Sequence, residues 1–222
     1  MKTWTAPVAI ALLFASCRHK AGHDTHSAPP KTDSAALFLA LFTDTTAAGL
    51  HVYPLADTIG GHRYEGRQID TSFYRFLRAG RTGFNMTGID TMFHYFALNR
   101  MPWSKTWTAL LLRIPSQYSE SAIALGLWNK MTRRFDAVEV LADSFGDEGW
   151  YFVTDAWLED LNGDGVPDIV RRTREHDEDL EDSTSVSESD SLAVHLFQKG
   201  RFSPARIAVD TARYRLHHYL PD

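Results

Sequence analysis

Cysteine is almost absent from this sequence: Cys17 is the only one in 222 residues. No disulfide can form within the chain, so stability has to come from packing, hydrogen bonding and any bound metal. Apolar runs of membrane-spanning length are also missing. The run from Ala6 to Ala15 falls well short of the about 20 residues a helix needs to cross a bilayer. The common catalytic signatures are missing too, with no G-x-S-x-G elbow, no H-E-x-x-H, no P-loop and no G-x-G-x-x-G. With no thiol beyond Cys17 to serve as a nucleophile, these absences favour a non-enzymatic protein. What remains is ordinary for a folded chain: 44% hydrophobic and 23% charged residues suffice for one core.

The N-terminus carries an address. Lys2, the apolar run and the small residues before Cys17 form an export signal. Phe14-Ala15-Ser16-Cys17 resembles a bacterial lipobox, with Phe14 where leucine is usual. The resemblance implies a signal peptide over residues 1–16, lipid on Cys17 and attachment to a membrane of the bacterial envelope. Residues 18–34 are polar, contain Pro29-Pro30 and show no apolar period, which describes a flexible tether. His19, His23 and His26 are metal-ligating side chains by type, but a tether gives them no fixed geometry, and the segment reads as a solvated linker. Some lipoproteins destined for the cell surface carry acidic residues directly after the cysteine. Residues 18–23 contain none, so the expected location is the periplasm-facing outer membrane.

Residues 35–222 read as a single, mainly β domain with minor α content. Ala35 to Phe42 is apolar and too short for periodicity to separate a helix from a buried strand. Asp70-Thr71-Ser72 ahead of Phe73, Phe76 and Leu77 predicts a capped short helix. Beyond Met92 the runs FHYFALN, TALLLRI, AIALGLW, FDAVEVLA, WYFVTDAWL, DIVRRTR and LAVHLF, separated by turn residues, predict an antiparallel sheet. In TALLLRI both alternating sets are mostly apolar, which places that strand mid-sheet with both faces covered. In AIALGLW one face holds Ile123, Leu125 and Leu127, and the other holds Ala122, Ala124 and Gly126, where a neighbour can approach closely. The NKMTRR segment is expected to close a hairpin onto FDAVEVLA.

The most specific chemistry lies in DLNGDGVPD, residues 160–168. Asp160, Asn162, Asp164 and Asp168 stand at odd spacing, with the Val166 carbonyl between them and Gly165 where the chain must turn. Alternate side chains of a tightly curled loop point inward together, giving an all-oxygen donor set suited to Ca²⁺. Strand patterns flank the loop and Arg171 sits where an EF-hand has its bidentate glutamate, so it is not an EF-hand. The alternative is a solvated Asp-Gly turn. The segment and the strand ending LAVHLFQKGRF resemble one FG-GAP or VCBS-type repeat, whose DxNGDGxxD loop binds calcium between two strands. That resemblance covers about residues 153–202 and implies Asp160, Asn162, Asp164, Val166 and Asp168 as ligands. One such β-loop-β copy cannot close a propeller, so a complete propeller is not expected.

Three features bear on partners. Residues 175–190 carry eight acids and no Lys or Arg, so the chain's net charge of −5 becomes +3 without them. This run is expected to be a solvated acidic loop, and it disfavours nucleic acid as a partner. Trp103 and Trp107 flank a turn and could stack on sugar rings, making a carbohydrate-binding accessory protein the alternative reading. Asp147-Glu148 could contribute a carboxylate to a glycoside hydrolase, although adjacent turn residues usually point apart. His94 and His195 lie within strand patterns and read as packed or surface histidines. The expected cofactor is therefore Ca²⁺. The expected partners are the membrane, reached through the lipid, and a glycan or envelope protein.

Overall fold

The computed structural model describes residues 33–54, 64–78, 94–116, 122–178 and 186–217, and every structural statement below concerns these. Strand accounts for 56% of them and helix for 11%, which makes the fold mainly β. Cys17, His19, His23 and His26 lie outside the described residues.

The chain enters through helix α1 (Ser34–Leu39), which settles the open choice at residues 35–42. Asp33 decides it: its carboxylate accepts from the N–H groups of Ala35 and Ala36 and satisfies orphan donors of the first turn. Helical spacing then places Ala35 and Phe38 on one buried face. Asp70 does the same for Ser72 at the start of a 3-10 turn (Thr71–Phe73) that runs into α2 (Tyr74–Arg78), as the sequence predicts.

The strands form one open, mixed sheet. They are β1 (Thr43–Asp44), β2 (Leu50–Val52), β3 (Arg67–Gln68), β4 (Phe96–Pro102), β5 (Trp107–Ile114), β6 (Ala122–Asn129), β7 (Arg134–Asp147), β8 (Trp150–Glu159), β9 (Asp168–Glu178), β10 (Val186–Gln198) and β11 (Arg201–Ala205). The main path runs β1-β4-β5-β6-β7-β8-β9-β10-β11, with β3 beside β4 and β2 beside β8. The antiparallel expectation holds from β4 to β11. It fails at β1, which pairs with β4 in parallel, Thr43 opposite Asn99, and is pinned there by a two-bond Arg100–Asp44 pair.

β7 joins the two halves of the sheet. Its first part pairs with β6, and Asp143 to Asp147 pair with β8. An extra residue in the β6–β7 register at Leu141 marks a bulge just before the exchange, and a bulge bends and twists its strand. β7 therefore leaves β8 beyond Thr154, and β2 takes the vacated edge, pairing with Ala156 to Leu158. The two hairpins flanking this strand have the turns their sequences demand. Asn129 Oδ1 accepts from Met131 and Thr132 while Arg133 takes a left-handed φ of 55°. Glu148 and Gly149, at φ 48° and 87°, close the tight β7–β8 turn.

β5 is interior to the sheet and buried on both faces, as expected. Ala109 and Leu111 enter an inner core with Ile123, Leu125, Leu127, Leu158, Ile169 and Phe197, drawn from both halves of the sheet. Leu110 and Leu112 face the other way, into a layer with α1, α2, Trp128 and Phe135. The small face of β6 takes the close approach anticipated for it: a Cβ at Gly126 would stand 2.4 Å from a Phe135 ring carbon. A third cluster, Trp157, Val170, Val194 and Tyr214, is covered by the C-terminal segment.

The acidic stretch is a correction. Glu175 to Glu178 and Val186 to Asp190 are paired strand rather than a solvated loop, and residues 179–185 lie outside the described set. The reason is cross-strand charge pairing. Arg172 holds Asp190 through two bonds, and Arg174 holds Glu188 at 3.2 Å, so acids on β10 face arginines on β9.

Candidate functional site

The segment 160–168 is the connection between β8 and β9, closed at its base by the Glu159–Asp168 pair. The loop curls because its own side chains bind its backbone. Asp160 Oδ1 accepts from the N–H of Gly163 at 2.7 Å and of Asp164 at 3.2 Å, and Oδ2 accepts from Gly165 at 2.8 Å. Asn162 Oδ1 accepts from Asp164 N–H, and Asp164 Oδ1 accepts from Val166 N–H. Such a chain of Asx turns requires left-handed backbone between its members, which Gly163 and Gly165 supply at φ 78° and 82°. The Gly165 N–H foremost, against the opposing effect of burial and aided by Gly163, Asp164 and Asn162, holds the Asp160 carboxyl below its ordinary range.

Asp168 is the buried floor of the loop. It is fully covered, with Oδ1 accepting from Phe197 N–H on β10 and Oδ2 from Leu161 N–H. Burial pushes its carboxyl upward. The two N–H groups oppose that shift, and the negative charges of Asp164 and Asp160 reinforce it. Val166 packs partly against the inner core, which fixes the far side of the curl.

This arrangement passes a chemical test for a hard cation in one respect: three carboxylates are close enough that two of them raise the third. Among the described residues no three His, Cys, Asp or Glu side chains converge in metal-holding geometry, because the carboxylates are turned to backbone N–H groups. Asp160, Asn162, Asp164, Val166 and Asp168 are the residues that would hold Ca²⁺, which would supply positive charge to a segment that gathers negative charge.

The linkage between charge and folding has a definite sign. A carboxyl raised by folding favours the fold at low pH and loses that contribution as pH rises through its folded value. Calcium needs the ionised forms, so its effect runs the opposite way. The expected result is a calcium-induced rise in melting temperature that is several degrees near pH 7 and falls below about 1 °C near pH 4. Parallel thermal melts in calcium and in chelator across this range measure it; a difference independent of pH would contradict carboxylate coordination.

The structure places the other sequence candidates elsewhere. Trp103 is buried, edge-on to Phe197 and Phe202, and Trp107 packs edge-on to Phe197 while its Nε1 donates to Asp136 at 2.7 Å. Trp103 is thus committed to the core, and Trp107 is partly buried against it. Asp147 and Glu148 are exposed at the tight β7–β8 turn. Asp143, four residues before Asp147, lies within β7 and accepts from Ser116 Oγ. His94 is half-buried beside Phe96, and His195 is half-buried on β10, its imidazole lowered by burial and by Arg171 against the pull of Glu139.

A second polar cluster was invisible in the sequence. Asp155 on β8 is fully buried, and its Oδ2 meets His51 Nε2 at 2.8 Å and accepts the His217 backbone N–H at 2.7 Å. Asp155 Oδ1 is buried without a hydrogen-bond partner among the described residues. His51 stacks on Trp157 at 4.4 Å and Tyr53 stacks on His217 at 3.9 Å. The cluster ties β2 and the C-terminal segment to the centre of β8. Its only sequence trace is an aspartate in an otherwise apolar strand, WYFVTDAWL.

No protein-family model matches the chain, and no curated protein or solved structure matches it either.

Proposed function

We propose that this protein is a calcium-binding lipoprotein of the bacterial envelope, anchored through lipid on Cys17, in which calcium orders the β8–β9 connection and no catalytic step is performed. The observation that carries the reading is the self-bound curl at residues 160–168, with exposed Asp160 and Asp164 lying over buried Asp168. All the proposed ligands come from this one short segment, so a cation there neutralises local repulsion and leaves no evident place for a substrate. The DxNGDGxxD spacing that resembles FG-GAP and VCBS repeats supports the same role. The lipobox-like Phe14-Ala15-Ser16-Cys17 and the absence of any further cysteine support the anchor.

Calcium titration by calorimetry tests the first half. At an affinity typical of extracellular modules, ~0.1 mM, calcium at ~1 mM adds RT ln 11, about 1.4 kcal/mol, to stability. Asp164→Ala should bind no calcium and melt alike in calcium and chelator. No heat of binding in the parent would return the loop to a polar turn. Fractionation tests the second half: the parent should partition with membranes and Cys17→Ala should be soluble. A soluble parent would remove the lipid anchor from the proposal.

A further inference from the structure

On β8, Ala156 and Leu158 point into the inner core, and strand alternation carries the same face outward through Thr154, Phe152 and Trp150. The core ends at Thr154, whose Oγ1 meets that of Thr173 at 2.8 Å. Beyond it lies an aromatic row: Phe145, paired opposite Phe152, is 5.7 Å from Trp150, which is 5.5 Å from Phe152. Trp150 is 37% exposed, and Phe152 is half-buried. Register places Asp177 beside Trp150 and Glu175 beside Phe152, with Ser187 and Ser189 next across on β10.

Charge differs sharply between the two faces of this hairpin. On the opposite face Glu188 and Asp190 are matched by Arg174 and Arg172, with His176 also near Glu188. On the aromatic face Asp177, Glu175 and the exposed Asp147 at the adjoining turn have no cationic partner among the described residues. Aromatic rings beside unmatched carboxylates favour a planar cation: guanidinium stacks on an indole and bonds a carboxylate at its edge. The repeat along the strands is also set. Along the backbone Trp150 and Phe152, like Asp177 and Glu175, are two residues or about 6.6 Å apart, the repeat of alternate residues in an extended segment.

We propose that this face binds an extended basic segment of a partner protein that presents arginines at alternate positions. Each guanidinium lies on an aromatic ring of β8 and bonds the carboxylate beside it on β9. This inference is independent of calcium in the β8–β9 connection.

The test is calorimetric titration of the full-length chain with a synthetic peptide of alternating arginine and serine. Trp150→Ala, and separately Glu175→Gln with Asp177→Asn, should each weaken binding about tenfold or more. Glu188→Gln on the opposite face should change it less than about twofold, and a lysine-for-arginine peptide should bind several-fold more weakly. Circular dichroism melts matching the parent establish that these surface variants fold. Should Trp150→Ala fail to fold, the carboxylate variant still decides the question. Absence of peptide binding, or equal binding by parent and carboxylate variant, would overturn the proposal. So would binding of cellohexaose in place of the peptide, lost in Trp150→Ala, since that outcome makes the face a glycan platform.

Discussion

Asp168→Ala should lower the melting temperature by about 10 °C and abolish any response to calcium. Both carboxylate oxygens accept buried backbone donors, Oδ1 from Phe197 and Oδ2 from Leu161. Truncation strands the two donors at about 1–3 kcal/mol each, offset in part because a carboxylate no longer has to be desolvated. A net loss of about 2–4 kcal/mol is a large fraction of the 5–15 kcal/mol that holds a typical domain together. Asp168→Asn keeps one acceptor and should fall between the parent and alanine. Melts of the three proteins in chelator isolate the hydrogen-bond contribution from that of the cation. An alanine variant as stable as the parent would show that Asp168 is not the floor of this connection.

Phe38→Ala should be the most damaging change in the helical layer, costing about 3–5 kcal/mol. The side chain is fully buried and its ring lies 5.1 Å from Phe76, 5.4 Å from Phe42, 5.5 Å from Trp128, 6.0 Å from Phe73 and 6.5 Å from Phe135. One ring thus joins α1, α2 and the sheet, and no single neighbour can move in to fill its place without leaving the others. Urea unfolding should show a lower midpoint, and Phe38→Leu should recover much of the loss. If the alanine variant unfolds at the parent's midpoint, the helices do not depend on this contact.

Parts of this architecture were readable because a local pattern had only one structural solution. Two apolar sets in TALLLRI require cover on both faces, and β5 has it. Asp70 ahead of helically spaced apolar residues predicted the start of a helix, and the N–H groups found their cap. At residues 35–42 periodicity ran out, although Asp33 two positions before the segment held the answer through its cap. The acidic run failed for a different reason. Acid content reads as solvation until the partner arginines are known, and those lie on the neighbouring strand, 14 and 18 residues distant. The His51–Asp155 contact spans 104 residues, beyond the reach of any local pattern. Trp103 and Trp107 mark the converse limit: a turn can be recognised, but the side of it that faces Phe197 depends on how the sheet curls. In the β8–β9 connection the spacing of oxygen donors was legible. The burial of Asp168 beneath it was not, because its cover comes from β10.

The sheet's failure to close has a bearing on self-association. An open sheet exposes unpaired backbone at both ends of its strand order, and such edges are templates on which another copy can add a strand. Here one end is the two-residue β1, too short to seed a ladder, and its Asp44 is already engaged by Arg100. At the other end β11 has five residues and includes Pro204, which has no N–H to donate. Among the described residues the sheet thereby stays unclosed without offering a long template at either end of its strand order.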